Sequence, residues 1–161
     1  MIKVVPRNAS DESVLNIVKG WVEVLAKRDY QAVFENLGHS ISSFAEPSAE
    51  GIRKAIEHYR SPEYYPDVSS FAVSDWRTAR GGNAEPKREV VWYKPNSVRL
   101  RGAVAFDLPL NGQWSDLTAD FVMFESETPN SGYILRLEEI HSWKQTQREM
   151  EAREASDIDH R

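Results

Sequence analysis

The sequence predicts an α+β fold in which three N-terminal helices pack on a curved antiparallel sheet, and three observations carry that prediction. Apolar residues recur at helical spacing from Val14 to Leu25, but alternate from Phe71 onward. Asn111-Gly112 is the preferred dipeptide of a type I′ hairpin turn, whose central residues both need positive φ. Between Arg88 and Glu125 the alternation continues on both sides of that turn, so turn chemistry and hydrophobic pattern agree on three successive strands.

The elements follow in order. Ser10 is placed to cap a helix whose first turn holds Asp11 and Glu12, charges suited to a helix N-terminus. Val14, Ile17, Val18, Trp21, Val22 and Leu25 form its stripe, which fades at Lys27-Arg28. Asp29 caps a shorter helix carrying Tyr30, Val33, Phe34 and Leu37, with Gly38 as its stop. His39 to Pro47 alternates enough for a short strand. Ser48 caps a third helix with Ile52, Ala55, Ile56 and Tyr59 on its edge, closed by Pro62 and Pro66. Phe71 and Val73 start the period-two region, and Arg80-Gly81-Gly82-Asn83 reads as a long mobile turn. A final strand runs from Tyr133 to about His141, with a bulge near Glu138-Glu139. Residues 1–142 therefore read as a single domain, and 143–161 as a polar C-terminal tail or solvated helix.

A two-residue loop at Asn111-Gly112 makes Leu110 face Gln113. Counting back, it pairs Phe106 with Leu117, Val104 with Ala119, Gly102 with Phe121 and Leu100 with Met123. A turn at Pro95-Asn96 likewise pairs Val91 with Leu100 and Tyr93 with Val98. One sheet face is then continuously apolar. The other carries Val90, Trp92, Arg99, Arg101, Ala103, Ala105, Asp120, Val122 and Phe124, with Trp92 opposite Arg99.

At 161 residues and 40% hydrophobic, the chain can bury one sizeable core. A formal charge of -5 and a pI near 5.4 argue against a nucleic-acid or anionic-membrane binder. The absence of cysteine removes disulfides, zinc-thiolate sites and thiol nucleophiles, and makes a reducing cytoplasm the expected location. No apolar run is long enough to span a bilayer, and the segment before Pro6 is too short for a secretory signal.

The tryptophan-bearing first helix, the corner Lys27-Arg28-Asp29-Tyr30 and the phrase Ser48-Ala49-Glu50-Gly51-Ile52-Arg53-Lys54-Ala55-Ile56 resemble the nuclear transport factor 2-like superfamily, including its SnoaL-like branch, over residues 11–142. The resemblance implies a cone-shaped α+β barrel. It leaves function open among isomerases, dehydratases, cyclases, transport adaptors, oligomerisation modules and toxin-neutralising proteins. Enzymes of that superfamily use an Asp, His or Tyr projecting from the sheet into the cone, where a buried group acquires a tuned pKa.

The supply of such groups here is thin. Glu89, His141 and Asp75 are the weak catalytic candidates. His39, His58 and His141 are three imidazoles without a local metal-binding spacing, so neither metal nor cofactor is expected. Gly81-Gly82 lies between strands rather than ahead of a helix, which argues against a phosphate loop.

Two readings remain. In the first the chain is a non-catalytic interaction module, an immunity-like protein or a dimeric adaptor, working through Trp92, Arg99, Arg101, Val122 and Phe124 on the outer face. Its partner is another protein or a second copy, and Trp92→Ala is expected to abolish association. In the second, Trp21, Tyr30, Phe34, Tyr59, Tyr93 and Phe121 line an apolar pocket for a small ligand, serving a lyase, isomerase or carrier.

Overall fold

The computed structural model describes residues 4–35, 48–126 and 132–159. Its elements are β1 (Val4–Val5), α1 (Asp11–Ala26), α2 (Tyr30–Glu35), α3 (Ala49–Glu57), β2 (Arg88–Trp92), β3 (Leu100–Leu110), β4 (Gln113–Glu125), β5 (Tyr133–His141) and α4 (Trp143–Asp159). The fold is α+β as expected, with a fourth, C-terminal helix where a tail or helix was open. The strands form one antiparallel sheet in the order β1-β5-β4-β3-β2. The sheet is strongly curled. Trp92 on β2 and Tyr133 on β5 stand three strand steps apart, about 14 Å in a flat sheet, yet their ring centroids are 6.1 Å apart.

Local chemistry sets the helices. Ser10 Oγ accepts the Ser13 amide at 3.1 Å and Ser48 Oγ accepts that of Gly51 at 2.9 Å, both true N-caps. Asp29 Oδ1 likewise takes the Ala32 amide at 3.1 Å, starting α2. Val14, Val18, Trp21, Val22 and Leu25 of α1 are all buried against the concave face of the sheet. Each contributes about 1.5–3 kcal/mol of apolar burial. The expected stop at Gly38 and strand within His39 to Pro47 lie outside the described residues.

Two register expectations are corrected. Leu110 does face Gln113, but beyond Pro109 and Trp114 the ladder shifts by two: Asp107 pairs with Thr118, Phe106 with Ala119, Val104 with Phe121 and Gly102 with Met123. Side-chain bonds stand in for the missing ladder there. Ser115 Oγ donates to the Leu108 carbonyl at 2.6 Å and accepts the Leu117 amide at 3.0 Å. A further irregularity between Leu100 and Gly102 sets Leu100 opposite Phe124 rather than Met123, but the shift of two leaves the side chains from Gly102 to Asp107 on their expected faces.

The β2–β3 register moves by three, which does not. Val90 pairs with Val104, Val91 with Ala103 and Trp92 with Gly102. The loop between them is longer than a two-residue turn because Asn96 folds it internally, its side chain accepting the Leu100 amide at 3.1 Å and donating to the Leu100 carbonyl. Arg99 takes a φ of 59° within that loop, in the left-handed region. Trp92 therefore shares the concave face with Met123 and Phe121.

The segment expected to be a long mobile turn is instead laid along β4. Trp114 donates its amide to the Gly81 carbonyl at 3.1 Å and accepts the Asn83 amide at 2.8 Å. A Cβ on Gly82 would sit 2.2 Å from the Trp114 carbonyl oxygen, so the close approach needs glycine. The strand expected from Phe71 reduces to a bridge between Val73 and Leu110.

Candidate functional site

The concave face of the sheet is occupied by its own side chains. Trp21 meets Phe121 edge-on at 5.1 Å, and Tyr59, Tyr65 and Phe71 pack mutually edge-on at 5.1–5.9 Å. Trp21, Tyr59 and Phe121 are buried core, Tyr30 and Phe34 are partly buried against that core, and Tyr93 is 41% exposed at the far end of β2. The six residues expected to line a pocket thus do not surround one cavity: three fill the core and Tyr93 stands outside it.

A polar cluster does form where β3, β4 and β5 meet α3 and the 83–87 segment. Asp107 accepts from Thr118 Oγ1 at 2.6 Å, the Lys87 amide at 2.8 Å and Asn83 Nδ2 at 3.1 Å. Burial raises its pKa against the opposing pull of Thr118 and Lys87. Two of these donors, the Lys87 amide and the Asn83 side chain, belong to the 83–87 segment, so the carboxyl staples that segment to the sheet. Tyr59 donates its hydroxyl to Asp116 Oδ1 at 2.5 Å, while Asp116 Oδ2 is enclosed without a hydrogen-bond partner among the described residues. Burial, and then that carboxylate, push the Tyr59 phenol far above its usual range, so it remains a donor. A cleft of about 210 Å³ opens beside this pair, lined by Lys87, Trp143 and Lys144 among others.

The catalytic candidates are dispersed. His141 Nε2 meets Asp120 Oδ2 at 2.5 Å on the outer side of the sheet, and this contact raises the imidazole pKa. With side chains 27% and 37% exposed, the two form an ion pair at the surface of the sheet. Glu89 pairs across from Ala105, on the exposed outer face. Asp75 Oδ1 accepts the Arg77 amide at 2.9 Å, closing a surface turn. His58 lines a separate cleft and His39 lies outside the described residues. Among the described residues no group of three or more His, Asp or Glu is placed to hold a metal ion.

The outer face also differs from expectation. Trp92 is not on it: its indole donates to Asp11 Oδ1 at 2.7 Å, tying the end of β2 to the start of α1. Arg99 sits in the loop rather than opposite Trp92, and Arg101 pairs with Glu125 at 2.7 Å rather than with Asp120. Val122 and Phe124 do lie there, the latter under the Arg136 guanidinium at 4.4 Å. In one row Val91, Ala103, Val122 and Arg136 are successive neighbours; in the next, Glu89, Ala105, Asp120 and Glu139.

Sequence reasoning did not find the Tyr59–Asp116 pair, because the two are brought together only by the approach of α3 to the bulge in β4. It also did not find a cleft of about 550 Å³ at the α1–α2 corner, outside the packed core. No family model matches the sequence, and neither a curated protein nor a solved structure does. Among the described residues no helix is long and apolar enough to cross a membrane.

Proposed function

We propose that this chain is a non-catalytic interaction module that pairs with a second copy of itself through the outer face of the sheet. One observation carries the reading. Val91, 49% exposed, stands beside half-buried Ala103, Val122 and Phe124 on a sheet face whose opposite side is fully packed by α1 and α3. The C-terminal helix α4 meets β4, and its first two turns are bonded to residues 58–64.

On this face Val91 is exposed and Ala103, Ala105, Val122 and Phe124 are partly buried, Phe124 beneath the Arg136 guanidinium, and a two-fold axis would lay this same surface on itself. Arg136 adjoins a row holding Glu89, Asp120 and Glu139, which supplies both signs of charge to one surface. The loss of Trp92 from this surface removes the aromatic centre first assigned to it, so the contact rests on aliphatic groups and Phe124. The three preceding helices and curled sheet are compatible with the cone-shaped domain of the nuclear transport factor 2-like superfamily, and membership in it is part of this proposal. The alternative, a ligand pocket inside the cone, is disfavoured by the core aromatics Trp21, Tyr59 and Phe121, which pack against neighbouring rings among the described residues.

Sedimentation velocity tests the reading. The wild-type chain is expected at twice its 18.4 kDa mass at micromolar concentration, and Ala103→Arg at the single mass with unchanged circular dichroism. A wild type that stays monomeric at all concentrations overturns it. If a heterologous protein rather than a second copy occupies the face, the same monomer result appears and the self-association proposal fails.

A further inference from the structure

We infer that the cleft at the α1–α2 corner binds a small phosphomonoester between Arg28 and Arg60. The cleft, about 550 Å³, has the size of a small-molecule site and is walled by Arg28, Tyr30, His58, Arg60, Ser69 and Ser70, with Phe71 at its floor. Its chemistry is that of an oxyanion receptor: two guanidinium groups, three hydroxyls and an imidazole. Its acid is already engaged, since both oxygens of Glu57 accept from Arg53 at 3.0 Å.

Both arginines are fixed at helix ends, Arg28 by its amide after α1 and Arg60 by the carbonyls that close α3. Arg28 follows α1 with φ 61, in the left-handed region where a helix C-terminus normally carries glycine. A non-glycine residue there costs about 1 kcal/mol. The backbone is held there by the helix-ending bond from the Arg28 amide to the Leu25 carbonyl at 2.9 Å, while its guanidinium makes no hydrogen bond among the described residues. Arg60 spends only Nη1, on the Glu57 and Tyr59 carbonyls at 2.7 and 2.6 Å, and lies 5.7 Å over the Phe71 ring. Its Nη2 and Nε are left to donate elsewhere, in the fork geometry that suits phosphate.

The walls are equally fixed. Asn111, at the hairpin tip, donates Nδ2 to the Ser70 carbonyl and accepts the Ala72 amide on Oδ1, each at 3.0 Å, which sets the serine wall. From the other side α4 clamps the segment bearing His58 and Arg60. Gln145 Oε1 accepts the Arg60 amide at 3.0 Å, and Arg148 donates to the Arg60 carbonyl at 3.1 Å. The C-terminal helix, otherwise almost wholly exposed, thereby acquires a role as a strut for this site.

Calorimetric titration of the full chain at constant ionic strength tests the assignment, with phenyl phosphate, inorganic phosphate and benzoate as probes. Phenyl phosphate is expected to bind most tightly, and Arg28→Gly to weaken it about tenfold or more. Because glycine accepts positive φ, that variant should keep or raise its melting temperature, which separates lost recognition from lost folding. Arg60→Gln should weaken binding likewise. No binding of phenyl phosphate at millimolar concentration, equal binding of benzoate, or an affinity unchanged in Arg28→Gly would each overturn it. The outcome is independent of self-association, since none of these residues lies on the outer sheet face.

Discussion

The two faces of the β3–β4 hairpin are built from the same strands yet meet opposite fates. On the concave face Val104, Phe106, Ala119, Phe121 and Met123 are sealed beneath α1 and α3. On the convex face Ala103, Ala105, Val122 and Phe124 keep partial exposure, although they are nearly as apolar. Alternation alone distributes residues between the faces but does not say which face acquires a cover; the helices decide that. An apolar strand face without a helix is what a partner surface looks like from inside one chain.

The sharpest way to break the comparison is to truncate one phenylalanine on each face. Phe121→Ala removes the ring against Trp21 and should cost about 3–5 kcal/mol in urea denaturation. Phe124→Ala, measured at concentrations low enough for a monomer, should cost under about 1 kcal/mol. Equal costs would mean the two faces are equally packed.

Trp92 sharpens it from the boundary. Its indole reaches Asp11 and Tyr133 and so closes the curl of the sheet. Trp92→Ala should lower stability by about 1–2 kcal/mol and leave the sedimentation coefficient of the assembled protein unchanged. Loss of association with intact stability would return Trp92 to the outer face.

The smallest effect belongs to His141 and Asp120, at the polar rim of the convex face. The Asp120 carboxylate raises the imidazole pKa in the folded chain. A raised folded pKa means that the stabilisation is complete below the unfolded value near 6.5 and is lost as pH rises through the folded one. An NMR titration of the His141 ring should show its midpoint above 6.5 and falling in Asp120→Asn. An unchanged midpoint in that variant would dissolve the pair.

Much of this fold was legible. Capping serines at 10 and 48, the helical stripe of α1 and the Asn-Gly turn each act within a few residues, and each stands where local chemistry places it. The bulge at Ser115 was invisible because it moves the ladder by two and preserves parity. The loop after Trp92 was the costly miss: Pro95-Asn96 marks its position, but the Asn96 side chain adds length that no turn dipeptide records, and an odd shift exchanges the faces. The cleft at Arg28 was illegible for another reason. Its walls come from the α1–α2 corner, the end of α3, the 69–72 segment and the hairpin tip, assembled only by tertiary packing.

The chain contains no cysteine, so a single introduced thiol reports one site without background. The most direct test is therefore the rate of thiol labelling in Ala103→Cys and Ala119→Cys as the protein is diluted. The account predicts that Cys at position 119 stays unreactive throughout, whereas at 103 labelling is slow when concentrated and accelerates on dilution as the second copy leaves. A position 103 that reacts at one fast rate at every concentration would contradict it.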